Sequence, residues 1–192
     1  MDKLRIGIIG FGTVGKGVYQ ILKGEKETHP ILKQIEIVGI VVKNISKKRD
    51  VKMDNNLLIN DPNKLINDPT IDVIVEVMGG TDIAKNIILK SLKNGKSVVT
   101  ANKAIMARYG EEIHKVALEN RAYILFEAAV CGGIPIIEPL KRSLKSNQII
   151  KMAGIINGTT NFILSKMSTE KAAFKESLDL AQKLGYAELD PS

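Results

Sequence analysis

The chain has 192 residues, of which 28 are Lys or Arg and 21 are Asp or Glu, so its formal net charge is +7. The single cysteine, Cys131, excludes internal disulfides and a zinc site built from several cysteines. Hydrophobic and charged contents of 44% and 26% are typical of a soluble globular protein. Because no apolar run reaches the roughly 20 residues of a membrane span and no signal peptide is recognisable, we predict a cytoplasmic protein.

Short apolar runs alternate with segments of helical periodicity up to about residue 126. Strands are predicted at Leu4–Ile9, Ile35–Val42, Leu57–Ile59, Asp72–Val77, Ser97–Thr100 and Tyr123–Phe126. Helices are predicted at Val14–Leu22, from Asp61-Pro62, from Thr81 to about Leu92, and at Asn102–Asn120. This alternation, with nearly continuous apolar strands, predicts an α/β fold with a doubly wound parallel sheet.

A G-x-G-x-x-G sequence, Gly10-Phe11-Gly12-Thr13-Val14-Gly15, follows the first predicted strand and opens the first helix. In that context the motif indicates a Rossmann-type dinucleotide site. Gly10 permits the tight turn, Gly12 lets the backbone approach a pyrophosphate, and Gly15 lets the helix pack against the strand. The pyrophosphate would then meet N–H groups at the positive end of the helix.

Most of the excess positive charge lies in one segment after the second strand. This segment contains one acidic residue, Asp50, and five basic residues, which are Lys43, Lys47, Lys48, Arg49 and Lys52. The segment has no aromatic residue, so we do not expect a nucleic acid as partner. Because no apolar run could span a bilayer, we do not expect a membrane as partner either. It is either a solvated loop or a site for a small phosphate. An NAD-binding fold usually places Asp or Glu after this strand; Lys43-Asn44 instead favours NADP(H), with NAD(H) as a possible alternative.

The sequence changes character after Gly132-Gly133. A helix is predicted at Ile134–Leu144, a strand at Ile149–Ile156, and two helices at Asn157–Ser168 and Ala172–Leu184. We therefore predict a dinucleotide-binding domain over residues 1–133. Residues 134–192 are predicted to begin a second, α+β substrate and dimerisation domain, which is incomplete.

Five further strings, taken in order along the chain, resemble homoserine dehydrogenase. They are Glu76-Val77-Met78-Gly79-Gly80-Thr81, Val98-Val99-Thr100-Ala101-Asn102-Lys103-Ala104, Phe126-Glu127-Ala128-Ala129-Val130-Cys131-Gly132-Gly133-Ile134-Pro135, Asn157-Gly158-Thr159-Thr160-Asn161 and Leu184-Gly185-Tyr186-Ala187-Glu188-Leu189-Asp190-Pro191. The resemblance implies reversible NAD(P)H-dependent reduction of L-aspartate 4-semialdehyde to L-homoserine. That reaction belongs to the biosynthesis of threonine, methionine and isoleucine. The resemblance also suggests a homodimer.

The resemblance carries roles for coenzyme-binding residues position by position. Phe11, Thr13 and Val14 match turn residues that contact the dinucleotide, and Thr81 matches a position at the nicotinamide end. Lys103 matches a lysine beside both nicotinamide and substrate. A lysine just past the carboxyl end of a parallel strand is also well placed to polarise an aldehyde oxygen or pass it a proton.

The resemblance also implies substrate and cation ligands. Glu188 matches a glutamate that receives the substrate amino group, and Gly185 matches a backbone contact beside it. A carboxylate facing an ammonium suits an amino-acid substrate. A monovalent cation site, with sodium as the ion, is implied at Glu127, Val130, Gly132 and Ile134, where one carboxylate and backbone carbonyls would suit a hard, singly charged ion. The alternative interpretation of this Gly-rich segment is a hinge.

The family continues beyond the last of these strings to an aspartate and a second lysine that are its stronger acid–base candidates. We therefore expect this chain to be an N-terminal portion that binds NADP(H) and reduces the aldehyde poorly alone. Two alternatives stay open at this stage. One is a non-catalytic NADP-binding or regulatory protein, and the other is an aldehyde dehydrogenase with Cys131 as nucleophile, which lacks a histidine at a suitable spacing.

Overall fold

The structure is a computed structural model, and it describes residues 3–24 and 29–187. By their contacts the residues form two units, Met1–Lys145 and Ser146–Ser192. The boundary predicted near residue 133 lies before this division and stays a prediction. No helix in the described ranges is long and apolar enough to cross a membrane.

The first unit is built around a parallel sheet. Within the described residues its strands are β1 (Leu4–Ile9), β2 (Ile35–Val41), β3 (Leu58–Ile59), β4 (Val73–Glu76), β5 (Ser97–Thr100) and β6 (Ile124–Leu125). They lie in the order β3-β2-β1-β4-β5-β6, and all neighbouring pairs are parallel. This is the strand order of a doubly wound dinucleotide-binding sheet, so the predicted fold is confirmed.

Helices cover both faces of this sheet. They are α1 (Thr13–Leu22), α2 (Asn63–Ile66), α3 (Asp82–Lys93) and α4 (Lys103–Glu119). Successive strand residues point to opposite faces, so Ile74 and Val75 of β4 belong to two separate apolar clusters. Ile74 packs in the cluster that includes α3 and α4 residues, whereas Val75 packs in the cluster that contains Tyr19 of α1. Burial on both faces explains why the strands read as apolar runs.

The order of the strands indicates at which end of the sheet a ligand would bind. Strands β2 and β3 are added on one side of β1, whereas β4, β5 and β6 are added on the other side. The strand order therefore reverses between β1 and β4, which are neighbours although β2 and β3 intervene in sequence. Ligands of such sheets bind outside the carboxyl ends of the strands at that point. In register, Ile9 pairs with Val41 on one side and with Glu76 on the other, and Glu76 pairs with Thr100.

The region after β6 differs from the sequence prediction. The helix predicted at Ile134–Leu144 is reduced to one π-helical turn at Pro139–Ser143. In the second unit, α5 (Gly158–Thr169) and α6 (Phe174–Lys183) confirm the two predicted helices. The strand predicted at Ile149–Ile156 is wrong, because residues 149–156 adopt no regular secondary structure. A strand needs a neighbour for its backbone groups, and the described part of this unit contains no other strand.

Candidate dinucleotide site and its relatives

The glycine turn between β1 and α1 leaves open space at one position and none at two others. Gly10 has φ 104°, and a Cβ added there would lie 2.7 Å from backbone atoms of Met78. A Cβ on Gly15 would lie 2.2 Å from the Gly10 carbonyl oxygen. A Cβ on Gly12 would meet nothing within 4 Å. The turn is therefore packed where the protein touches itself and open at Gly12, where a pyrophosphate would approach.

The amino end of α1 suits an anion. Gly12 is the N-cap and provides no side-chain hydrogen bond, and the first turn contains no acidic residue. The exposed N–H groups and the positive end of the helix are thus offered to a ligand. Thr13 and Val14 are exposed in this first turn. The ring of Phe11 instead packs edge-on against Tyr19, with 5.8 Å between the ring centroids, and so holds the turn onto α1.

The basic segment after β2 is folded by one of its own cations. The Arg49 guanidinium donates to the carbonyl oxygens of Asn44 (2.8 Å), Lys47 (2.7 Å) and Ile45 (3.1 Å). We call residues 43–50 the basic loop. Its lysines Lys43, Lys47 and Lys48 are exposed, whereas Arg49 is half-buried. Arg49 therefore shapes the loop, and the three lysines carry the outward positive charge.

A cleft of about 490 Å³ lies along this loop. Its lining combines basic side chains with apolar ones from the following segment, among them Lys47, Lys48, Arg49, Val51 and Met53. A cleft lined by both apolar and cationic side chains suits the adenosine end of a phosphorylated dinucleotide.

Thr81 and Lys103 lie at the amino ends of two helices that follow β4 and β5. Thr81 is the half-buried N-cap of α3 and makes no side-chain capping bond there. Lys103 is the first residue of α4, and its side chain is exposed in the first unit. Both positions thus lie at the carboxyl edge of the sheet, as the sequence predicts.

A buried hydrogen-bond network behind these two residues was missed by sequence reasoning. Glu76, the last residue of β4, is fully buried, and its Oε2 accepts a hydrogen bond of 2.7 Å from the Thr100 hydroxyl. The same hydroxyl accepts from the backbone N–H of Asn102 at 3.0 Å. The available signal was the carboxylate of Glu76 among the apolar residues 73–77 of a buried strand, since a buried carboxylate requires polar partners.

The Gly-rich segment after β6 engages the Glu127 carboxylate. Its Oε1 accepts from the backbone N–H groups of Ile136 (2.5 Å) and Ile137 (2.9 Å), and its Oε2 accepts from that of Glu138 (2.8 Å). The Ile136 N–H above all, with the other two and Lys141, holds the pKa of this carboxyl below its usual value. The carboxylate is thus already provided with donors.

The same segment contains backbone carbonyl oxygens that could serve as ligands of a hard cation. Cys131, Gly132 and Gly133 have φ of 56°, 28° and 77°, so three successive residues are left-handed and turn the chain sharply. In the described residues no group of three or more His, Cys, Asp or Glu could hold a metal ion. The chemistry that fits sodium here is that of backbone carbonyl oxygens, which are hard ligands.

In the second unit, α5 contacts Tyr186, which belongs to the last of the strings that resemble homoserine dehydrogenase. The Thr159 hydroxyl donates to the Tyr186 carbonyl oxygen, and the Phe162 ring lies 5.0 Å from the Tyr186 ring. Gly185, with φ 79°, ends the turn after α6. Glu188, the predicted partner of the substrate amino group, lies outside the described residues.

Comparison with known proteins agrees with this geometry. Residues 10–127 match the homoserine dehydrogenase NAD-binding domain, and residues 135–192 match the homoserine dehydrogenase family that follows it. The chain belongs to the homoserine dehydrogenase family. The members are NAD(P)-dependent oxidoreductases, so the family does not favour the regulatory or Cys131-dependent alternatives.

Individual relatives give the same result. The chain is 48% identical over 98% of its length to the homoserine dehydrogenase of Synechocystis, covering 44% of that protein. It matches a crystal structure of the Thiobacillus denitrificans enzyme with a TM-score of 0.86 and 42% identity, over 100% of this chain and 44% of that one. A hyperthermophilic archaeal homoserine dehydrogenase, solved in complex with NADPH, matches with a TM-score of 0.80 and 29% identity, over 99% and 64% respectively. The chain thus spans less than half the length of the curated relative.

Proposed function

We propose that this chain is the coenzyme-binding part of an enzyme that interconverts L-aspartate 4-semialdehyde and L-homoserine. The observation that carries the proposal is the open Gly12 position at the amino end of α1, beside the crossover between β1 and β4. A Cβ at Gly12 would meet no atom of the chain within 4 Å, so the backbone at this helix end is open to the approach of a ligand. A dinucleotide pyrophosphate fits that space and its N–H donors.

NADP(H) is the proposed coenzyme. The support is the absence of a carboxylate directly after β2 and the exposed lysines of the basic loop, Lys43, Lys47 and Lys48. An ammonium attracts a ribose 2′-phosphate, whereas a carboxylate there would repel it. The archaeal relative was solved with NADPH, which agrees with this choice.

Calorimetric titration of the 192-residue chain with NADPH and NADH tests this proposal. We expect tighter binding of NADPH. The variant Lys47→Gln/Lys48→Gln should weaken NADPH binding about fivefold to tenfold, roughly 1 kcal/mol, and leave NADH unchanged. Lys93→Gln is the matched control. Lys93 is an exposed lysine at the end of α3, shortly before β5 begins, and so lies toward the amino ends of the strands, away from the proposed coenzyme site. No heat with either coenzyme would overturn the proposal.

Lys103 is the proposed catalytic residue of this chain. When bound, the reduced coenzyme supplies a hydride to the aldehyde carbon, and the carbonyl oxygen gains a proton. Lys103, at the carboxyl end of β5, is proposed to polarise that oxygen or donate the proton. Gly185 and Glu188 are proposed, from the resemblance, to bind the amino-acid end of the substrate.

Catalytic activity is tested in a fusion protein that has the full length of the relatives. The chain is fused to the part of the Synechocystis enzyme that follows the matched region, and homoserine-dependent formation of NADPH is measured. Lys103→Ala should lower kcat at least about a hundredfold, as expected for loss of a positioned proton donor. A rate close to that of the unmodified fusion would remove Lys103 from the mechanism.

A sodium ion is proposed at the segment after β6, bound by carbonyl oxygens of Glu127, Val130, Gly132 and Ile134. The support is the tight left-handed turn and the hard character of these donors. Thermal unfolding in sodium chloride and in choline chloride at equal ionic strength tests it, since a bound ion stabilises the folded state. Equal melting temperatures would overturn it. A homodimer and a cytoplasmic location stay predictions of the sequence.

A further inference from the structure

Glu76 is a charged residue in a place where an apolar residue would serve packing better. Its side chain is fully buried at the end of β4, between Ile9 of β1 and Thr100 of β5 in the sheet register. Burying a carboxylate is costly, and an apolar side chain of similar size is often neutral or stabilising in its place. Stability alone therefore does not account for a glutamate at this position.

The carboxylate acts on two neighbouring segments. Its Oε2 accepts from the Thr100 hydroxyl at 2.7 Å, and its Oε1 accepts from the backbone N–H of Met78 at 2.9 Å. Gly10 packs against the backbone of the same residue, Met78. A Cβ added to Gly10 would lie only 2.7 Å from the Met78 backbone and would collide with it. One carboxylate thus fixes the chain after β4 against the glycine turn after β1.

The network continues from Thr100 to the candidate catalytic helix. The Thr100 hydroxyl accepts from the Asn102 backbone N–H at 3.0 Å. The Asn102 side chain donates to the Gly80 carbonyl at 2.7 Å and accepts from the Ile105 N–H at 3.2 Å, which caps α4. Asn102 therefore ties the start of α4 to the loop that follows β4.

The two ends of this network adjoin the two residues assigned to the nicotinamide end. Thr81 directly follows Gly80, and Lys103 directly follows Asn102. Gly79 and Gly80, with φ of 75° and 76°, have no side chains to pack and lie in open surroundings, and the Asn102 side chain bonds to this stretch at the Gly80 carbonyl. Loss of the bonds would let Thr81 and Lys103 shift relative to the glycine turn.

We propose that Glu76, Thr100 and Asn102 form a positioning network that sets Thr81 and Lys103 at the nicotinamide end of the coenzyme. These residues act through Thr81 and Lys103 and are positioning residues rather than catalytic ones. The inference rests on the proposed function, because it assumes that NADP(H) binds at the carboxyl edge of the sheet.

The decisive variant is Thr100→Val, which keeps the shape of the side chain and removes the hydroxyl. Glu76 Oε2 then loses its donor, and the Asn102 N–H loses its acceptor. Two ligands are titrated into the 192-residue chain by calorimetry: NADPH, and adenosine 2′,5′-bisphosphate, which lacks the nicotinamide half. We expect the Kd of NADPH to rise about tenfold, as for a lost buried hydrogen-bond pair, and that of adenosine 2′,5′-bisphosphate to change by less than about twofold.

Three comparisons make the result specific. Thr100→Ser retains a hydroxyl and should restore NADPH binding. Ser91→Ala removes another buried hydroxyl, which donates to the Ile87 carbonyl within α3, and should leave both affinities unchanged. Glu76→Gln removes the charge with little change in shape, provides a second variant if Thr100→Val does not fold, and should show the same selective loss.

The outcomes separate the two proposals. Equal weakening of both ligands, or no weakening of NADPH, would overturn the positioning role while wild-type binding of NADPH upholds the proposed function. Failure of the wild-type chain to bind either ligand would overturn the proposed function and with it the network's role.

Discussion

Lys16 Nζ lies 2.8 Å from Asp50 Oδ1 and 3.2 Å from Asp50 Oδ2, so this ion pair joins α1 to the basic loop. Lys16 directly follows the last glycine of the turn, and Asp50 is the last residue of the loop. The hydrogen bond from Lys16 holds the pKa of Asp50 below its usual value. The two parts of the proposed coenzyme site, one for the pyrophosphate and one for the 2′-phosphate, are thereby linked directly.

Asp50→Asn should alter coenzyme affinity more than stability. The Asp50 side chain is 77% exposed, so solvent screens the pair, and its loss should leave the free energy of unfolding in urea titrations almost unchanged. Removing one negative charge and releasing Lys16 should lower the Kd of NADPH about twofold. Asp54→Asn, a nearby exposed carboxylate bonded only to the Asn56 N–H among the described contacts, should change neither. Weaker NADPH binding by Asp50→Asn would contradict this prediction, since it would mean that the ion pair holds the loop in its binding shape.

Alanine at Gly12 and at Gly15 should separate binding from folding. Gly15→Ala places a Cβ against the Gly10 carbonyl, so we expect it to lower the free energy of unfolding by about 2 kcal/mol or more. Gly12→Ala meets no atom within 4 Å and has an ordinary φ of −82°, so the free energy of unfolding should fall by less than about 1 kcal/mol.

The added methyl group at Gly12 does enter the space proposed for the pyrophosphate. Calorimetry should therefore show NADPH binding weakened at least about tenfold by Gly12→Ala. Unchanged affinity in a folded Gly12→Ala chain would place the pyrophosphate elsewhere.

Acid should destabilise the first unit through His114. This half-buried imidazole lies edge-on to Phe126, with 5.5 Å between the ring centroids, and Lys141 lies over the same Phe126 ring. Burial, and to a lesser extent Lys141, lower the pKa of His114 below 6.5. The unfolded chain therefore binds a proton more readily than the folded one, so the free energy of unfolding falls as the pH drops below about 6.5. The loss levels off below the folded-state pKa.

Urea titrations between about pH 7 and pH 5 check this dependence. His114→Gln should show a smaller loss of stability over that range than the wild-type chain. His29→Gln, an exposed histidine that caps the turn at Pro30–Gln34, should retain the wild-type slope. Identical slopes for the wild-type chain and His114→Gln would contradict the assignment.

The sequence was sufficient where the controlling interactions are local. The apolar run Leu4–Ile9, the glycines after it and the helical period of Val14–Leu22 predicted a strand, a turn and a helix that the structure confirms. The run Ile149–Ile156 has the same apolar character but no strand beside it in the described part of its unit. Ile150 and Ile156 are 93% and 97% exposed there. Strand propensity without a partner does not make a strand.

The sequence was insufficient where function depends on partners distant in the chain. Thr100 and Glu76 are 24 positions apart, and no local pattern shows that a hydroxyl meets that carboxylate. Arg49 shows a different limit, because its partners are close in the chain: in sequence it is one more basic residue, and no pattern distinguishes a guanidinium that binds three carbonyl oxygens of its own loop from one that faces solvent. The roles of Glu188 and Gly185 depend on resemblance.

The three carbonyl bonds of Arg49 have a kinetic consequence. A loop that is already folded around its own guanidinium needs no rearrangement when a ligand arrives, so the ordering entropy is lost during folding rather than at the encounter. Capture of a phosphorylated coenzyme should then proceed in a single kinetic phase, fast and steeply slowed by added salt, as for association guided by surface charge.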